Sequence, residues 1–329
     1  MGIHAVGLDI GYSQIKLAVG DVDHEEPQIL VRPAVAGPAA LLSNRFSNDD
    51  APGGVPVLVQ GAPWVACAER GLLQGATREL HADYTVTDNY LALFYAALHL
   101  TGRSTIDVVV TGLPVSHYQN MAHRKRLEAF MTQDHLVATG HHVKVLRTEV
   151  LPQPVGAYLD FLGRRADLND LLNEGRVVVL DIGYFSADWA ILEQGQFHTL
   201  VSGSSQKAMS RLLDTAHQHI TRDHDGGPGV DALEDALRHG RDTALVFGER
   251  VPIAPYLASA AREIAPEIGT RVRAAMRDQS DNIDLILLVG GGAHLYQSAV
   301  QEAFPRGRLE VPVPEDGVIA NARGFWFHA

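Results

Sequence analysis

The pentapeptide Leu-Asp-Ile-Gly-Tyr occurs twice in this chain, at residues 8–12 and again at 180–184. Each copy closes a short apolar run, His4-Ala-Val-Gly-Leu-Asp9 first and Val177-Val-Val-Leu-Asp181 second. Each is followed by polar residues and another apolar stretch, Ile15-Lys-Leu-Ala-Val19 and Ala187-Asp-Trp-Ala-Ile-Leu192. That pattern reads as a strand, a tight turn at glycine and a returning strand. The two aspartates stand just over half of the 329-residue chain apart. A solenoid would repeat every ~20–50 residues, so this spacing points to two similar halves. Asp and Gly are also ordinary turn residues, so the repeat acquires meaning only with the rest of the chain.

The length allows ~2 domains and a large buried core. A hydrophobic share of 46% with 20% charged residues is that of an ordinary globular protein. No stretch reaches the ~18–20 apolar residues of a membrane span, and Met1-Gly-Ile-His4 has no secretory pattern. The single cysteine, Cys67, excludes an intrachain disulfide and fits a reducing cytoplasm, which is the expected location. A net charge of −12 argues against direct nonspecific nucleic-acid binding, which needs clustered Lys and Arg. The one basic cluster, His123-Arg-Lys-Arg126, reads as a solvated helix face. The 16 histidines show no metal-ligand spacing, so no zinc site is expected.

Along the chain, strands are expected at 4–10, 14–21 and 28–31. Residues 32–63 are broken repeatedly by Pro33, Gly37, Pro38, Asn44, Asp49, Asp50, Pro52, Gly53, Gly54 and Pro56, suggesting an insertion with short strands such as Val55–Gln60. A helix is expected from about Trp64 to Leu73. Another is expected at 88–100, capped by Asp88 and striped by Leu91, Phe94, Tyr95 and Leu98. A strand at 105–111 ends in Gly112-Leu-Pro114, followed by a helix at 118–131 and a strand at 142–147. Pro154 suits the first turn of the next helix. The second half repeats the plan with strands 177–182, 186–192 and 197–201. Ser202–Ser205 caps a helix at 205–222 with Ala208, Met209, Leu212, Leu213, Ala216 and Ile220 inward. A mostly helical insertion at 223–280 includes one long helix at about 255–278. The strand 284–289 then meets Gly290-Gly-Gly292 before a helix at 295–303. A short strand at 309–311 leads to a last helix with small residues Ala320, Ala322 and Gly324. Small side chains there would let two helices cross closely.

Chemistry concentrates at the glycine turns. Backbone amides at such turns bind anions because no side chain obstructs the approach. Asp9 and Asp181 beside them would repel phosphates unless a cation intervened, and magnesium is held by one or two carboxylates plus substrate phosphates. Lys16 can return along its strand toward a phosphate. The triple glycine brings backbone close to a flat or phosphorylated ligand.

The order of these parts resembles the five-motif pattern of the actin/DnaK/sugar-kinase superfamily, and within it the ParM/StbA family of plasmid-segregation actin-like ATPases. The residues that carry the resemblance are Leu8-Asp-Ile-Gly-Tyr-Ser-Gln-Ile-Lys16, Asp181-Ile-Gly-Tyr-Phe-Ser-Ala-Asp188, Thr111-Gly-Leu-Pro114 and Ala320-Asn-Ala-Arg-Gly-Phe325. It covers essentially the whole chain. It implies an α/β, actin-like (ribonuclease H-like, duplicated) fold, with two α/β domains around a nucleotide cleft, each carrying an inserted smaller subdomain. Residues 1–160 would form domain I with an insertion at about 32–80, and 161–329 domain II with a helical insertion at about 223–280.

The resemblance further implies an ATPase using ATP (or GTP) and Mg2+. Asp9 and Asp181 would hold the metal through water. Gly11, Tyr12, Ser13, Lys16, Gly183 and Tyr184 would bind phosphates, and Gly290, Gly291 and Gly292 would line adenosine. The attacking water would be positioned by Gln153, with Glu149 as the alternative; a glutamine orients water without taking its proton and makes hydrolysis slow. Tyr12 and Tyr184 replace the usual small residues, and either point away from phosphate or narrow the cleft. The expected partners are other copies of the chain, in a head-to-tail filament that moves plasmid or mobile-element DNA, and a separate DNA-binding adaptor, without a membrane. The alternatives are a non-polymerising ATPase of the superfamily or a small-molecule kinase; no acidic residue stands in the 111–125 segment to serve a kinase as base.

Overall fold

A computed structural model describes residues 2–43, 53–69, 71–74, 84–206, 208–276 and 282–329. The breakers Asn44, Asp49, Asp50 and Pro52, and the end of the expected 255–278 helix, lie outside these. The chain divides into two compact units: Met1–Asn169 with Ile319–Ala329, and Asp170–Val318. The division falls after 169 rather than 160, and the end of the last helix returns to the first unit.

The first unit is built on a six-stranded sheet in the order Gln28–Pro33, Gln14–Asp21, His4–Ile10, Thr105–Leu113, His141–Pro152, Asp134–Ala138. The first three of these are antiparallel neighbours, and Thr105–Leu113 and His141–Pro152 then run parallel to His4–Ile10. The second unit repeats the order: Gln196–Phe197, Ala187–Glu193, Arg176–Ile182, Leu285–Val289, Arg308–Glu310, with the last two again parallel to the first hairpin strand. The pentapeptide repeat is thus a repeat of topology. The first strand of each hairpin is sandwiched between an antiparallel and a parallel neighbour. Side chains packed above and below the sheet bury it on both faces as well, which is why both read as continuous apolar runs.

Each unit has its own core. In the first, Val6, Leu8, Leu17 and Val109 pack with Leu93, Phe94 and Ala97 of the helix Asp88–Leu100. In the second, Val178, Leu180 and Ile286 pack with Leu212, Leu213, Ala216 and Ile220 of the helix Met209–His224, the side chains expected to face inward.

Several local expectations are corrected. Trp64–Leu73 is not a helix: Ala62–Ala66 is a strand paired on both sides, with Ala36–Pro38 and Val55–Val59. It stops at Cys67, whose φ is 57°. Thr87, not Asp88, caps the helix Asp88–Leu100, its side chain accepting from the Tyr90 amide at 3.2 Å. That helix buries Tyr90, Leu93, Phe94 and Ala97, so its inward face is offset from the Leu91/Tyr95 stripe. The 118–131 helix is two, Val115–Tyr118 and Met121–Met131, the second capped by Asn120. An unexpected edge strand, Asp134–Ala138, follows. Gly203–Ser205 pairs with Ala187–Trp189 instead of capping a helix, which starts later, at Met209. The expected strand at 197–201 is confined to Gln196–Phe197. The second insertion is not purely helical, since Thr243–Val246 and Glu249–Pro252 form a hairpin. Its long helix is broken at Pro266 into Ala254–Ile264 and Pro266–Ala275, because proline cannot donate into the preceding turn. Among the described residues, no helix is long and apolar enough to cross a membrane.

Two glycine turns as the candidate functional site

In the first unit, Asp9 and Lys16 are directly opposed across the hairpin. Opposed residues share a face of the sheet, so their side chains meet. The Lys16 ammonium donates to Asp9 Oδ2 at 3.0 Å, with the carboxylate almost fully buried. Gln153, at the start of the helix Gln153–Arg164, donates from Nε2 to Asp9 Oδ1 at 3.1 Å. The turn is closed by the Gly11 amide donating to the Gln14 carbonyl at 3.0 Å. The predicted residues Asp9, Gly11, Lys16 and Gln153 are thus brought together, and Ser13 lies in the same turn. Glu149 is placed elsewhere, bonded to Arg147 and to His328 Nε2, the latter at 3.0 Å. It does not join Asp9.

The Thr111-Gly112 pair explains why Gln153 can reach. A Cβ on Gly112 would lie 2.8 Å from Gln153 Cγ and 2.5 Å from the Phe325 ring. The Thr111 hydroxyl donates to the Leu8 carbonyl at 2.8 Å, holding the strand end just before Asp9. Tyr90 lies buried beside Thr111; burial and the Asp9 charge both push its phenol pKa far up, so it stays protonated. Burial likewise pushes the Cys67 thiol up to about 12, so this cysteine behaves as a small hydrophobe.

In the second unit the same register opposes Asp181 to Asp188. Where the first hairpin pairs acid with base, this one places two buried carboxylates on one face. Asp188 is satisfied by hydroxyls, accepting from Ser186 Oγ at 2.6 Å and from Ser204 Oγ. The Gly183 amide donates to the Ser186 carbonyl at 3.0 Å, repeating the first turn. The turn carbonyls of Gly183 and Tyr184 accept from the amides of Met209 and Ser210, seating the start of the helix Met209–His224 against the turn.

The triple glycine is not uniform. Gly290 has φ +89°, and a Cβ there would lie 2.5 Å from Asp181 Oδ1. Gly292 packs where a Cβ would strike Ile182 and Met209, whereas a Cβ on Gly291 would meet nothing closer than 3.9 Å. Asp181 and Gly290 are therefore neighbours by construction, joining the second turn to the glycine segment.

The tyrosines that end both pentapeptides pack against the cores of their own units. Tyr12 stacks on Tyr84, ring centroids 4.5 Å apart. The Tyr12 ring thus faces the core of its own unit.

Among the described residues no group of three or more His, Cys, Asp or Glu could hold a metal unaided. The second turn still fits a hard divalent ion that brings its own phosphate ligands: Asp181 and Asp188 are paired carboxylates in an all-oxygen setting. Asp9 fits less directly, because its two oxygens already accept from Lys16 and Gln153.

Comparison with known proteins points to the same fold in both halves. Residues 7–156 match the family model for the N-terminal domain of actin-like proteins, and residues 179–302 match that for the C-terminal region of archaeal, MreB-like actin homologues. An archaeal actin homologue from Thermoplasma acidophilum is 25% identical over 250 residues, covering 71% of each chain. The crystal structure of an archaeal actin homologue in complex with ADP superposes with a TM-score of 0.75 at 20% identity, covering 99% of this chain and 98% of that one. A 15-stranded ParM filament from Clostridium botulinum gives 0.74 at 17% identity, with 99% and 98% coverage. With its duplicated sheet, its two glycine turns and an actin-like family model matching a large part of each half, the chain has the actin-like fold.

Proposed function

We propose that this chain is a filament-forming actin-like ATPase, which binds ATP or GTP with Mg2+ through its glycine turns, hydrolyses it slowly and assembles head-to-tail with its own copies. The observation that carries this reading is the Lys16–Asp9–Gln153 cluster at the first turn. It supports the reading because an ammonium, a buried carboxylate and a side-chain amide meet at one glycine turn. In this reading the two compact units, Met1–Asn169 with Ile319–Ala329 and Asp170–Val318, act as the two actin-like domains.

Gly11 and Gly183 close their turns and, having no side chain, leave the phosphates a clear approach; Tyr12, Ser13 and Tyr184 offer backbone or hydroxyl donors, and Lys16 shifts from Asp9 to a phosphate oxygen. Asp181, and Asp9 through water, hold the magnesium, which when bound neutralises phosphate charge. Gly290, Gly291 and Gly292 line the nucleoside. Gln153 orients the attacking water and, lacking a basic oxygen, keeps turnover slow. Asymmetric contacts between copies generate open filaments when the operation does not close. With a net charge of −12, a role in moving plasmid DNA calls for a separate basic adaptor in the cytoplasm. The ADP complex and the ParM filament among the structural neighbours support the nucleotide and the assembly respectively.

Sedimentation over a protein concentration series, with ATP, GTP or a nonhydrolysable analogue, tests the assembly. A nucleotide-dependent pellet is expected. Protein that stays in the supernatant throughout while releasing phosphate would make it a non-polymerising ATPase.

A further inference from the structure

Tyr12, Tyr84 and Tyr90 form a continuous ladder of rings. Tyr12 and Tyr84 are stacked with centroids 4.5 Å apart, and Tyr84 meets Tyr90 edge-on at 5.4 Å. Tyr84 and Tyr90 are buried, at 7% and 2% exposure. The far end of the ladder bends back to the strand it started from. The buried Tyr90 phenol lies beside Thr111, whose hydroxyl donates to the Leu8 carbonyl. The backbone from Asp9 to Gly11 is therefore held on both sides, by the carbonyl that precedes it and by the ring that follows it.

A glycine-led turn exposes its amides well but is conformationally loose, and amides bind an anion tightly only when their orientation is fixed beforehand. The second turn obtains this differently, through the Met209 and Ser210 amides on its carbonyls. We infer that Tyr12, Tyr84 and Tyr90 are positioning residues, a three-ring brace that pre-orients the first glycine turn for phosphate. The inference rests on the nucleotide reading above for its ligand, but not for its mechanics.

Hydrogen exchange in nucleotide-free protein reads the brace directly, at the Gly11 amide, bonded to the Gln14 carbonyl, and the Ala34 amide, bonded to the Ser13 carbonyl. Tyr12→Ala should speed exchange at both by at least about tenfold while Val108–Val110 stay protected; Tyr12→Phe, which keeps the ring, should restore both. Tyr90→Phe should loosen Asp9 and Ile10 by a smaller factor. In parallel titrations, Tyr12→Ala should weaken ATP by about tenfold or more and leave adenosine, which has no phosphates, within about twofold of wild type. Unchanged exchange at Gly11 and Ala34 overturns the inference, as does acceleration spread evenly through the first unit, which marks ordinary core packing. Equal weakening of ATP and adenosine also overturns it. Wild-type protein that binds neither ligand refutes the nucleotide reading, while the exchange data still decide whether the brace exists.

Discussion

Asp9 and Asp181 occupy equivalent places in two copies of one hairpin, yet their neighbours divide them into different tools. The residue opposite is Lys16 in one case and Asp188 in the other. Gln153 touches Asp9, whereas Glu149 is tied to Arg147 and His328. Gln153→Ala should therefore lower single-turnover phosphate release by about 10- to 100-fold with nucleotide affinity nearly unchanged, and Glu149→Ala should leave release near wild type. A slow Glu149→Ala with a normal Gln153→Ala would reverse the assignment. Gly290→Ala forces a side chain into positive φ and against Asp181, and should cost at least about 1 kcal/mol in thermal unfolding as well as weakening nucleotide binding. At this scale the aspartates, the lysine and the glutamine were legible because glycine or proline marks their places: Asp9 and Lys16 flank Gly11, Asp181 precedes Gly183, and Gln153 stands between Pro152 and Pro154. Tyr90, Ser186 and Ser204 were not, since their part depends on register and packing that spacing alone does not reveal.

Among elements, Gln153–Arg164 and Pro314–His328 cross in close contact at Gly156 and Gly324. A Cβ on Gly324 would lie 1.7 Å from the Gly156 carbonyl oxygen, so the small-residue stripe expected in the last helix does serve close approach. Beside it Arg323 makes two bonds to Asp160, at 2.5 and 2.8 Å, with both side chains about 5% exposed or less. Gly324→Ala should push the helices apart and lower stability by about 1–3 kcal/mol or more. Arg323→Met should cost about 3–5 kcal/mol by stranding a buried carboxylate, and adding Asp160→Leu should recover part of that loss. Chemical denaturation of the four proteins completes a double-mutant cycle; no coupling between the two positions would contradict it. Helices with a clean inward stripe, such as Met209–His224, were readable from sequence. Trp64–Leu73 was misread because its helical spacing yields to two strand partners, and Thr243–Pro252 because four-residue strands carry too little periodicity to stand out inside a helical segment.

For the whole molecule, the repeated five letters were enough to forecast two similar halves, and the shared strand order shows that the duplication extends to the sheets. Where the chain passes between units was not legible, because nothing in Ala320–Phe325 states which half its helix will cover. Copies carrying −12 each repel one another, so assembly should strengthen as salt rises from about 10 to 150 mM; pelleting at fixed nucleotide checks this, and steady weakening would show attractive ionic contacts dominating. The returning segment has one more effect, on the order in which the protein matures. Trp326 packs with Ala5 and Ala18, donating to the Gly20 carbonyl at 3.2 Å, and Phe325 packs with Val108 and Val110. The half that leaves the ribosome first thus lacks part of its core until the final residues appear, while Asp170–Val318 is continuous and can close earlier. During synthesis the first unit waits for the second to pass, and a ribosome stalled before residue 319 holds a nascent chain whose opening sheet is still uncovered.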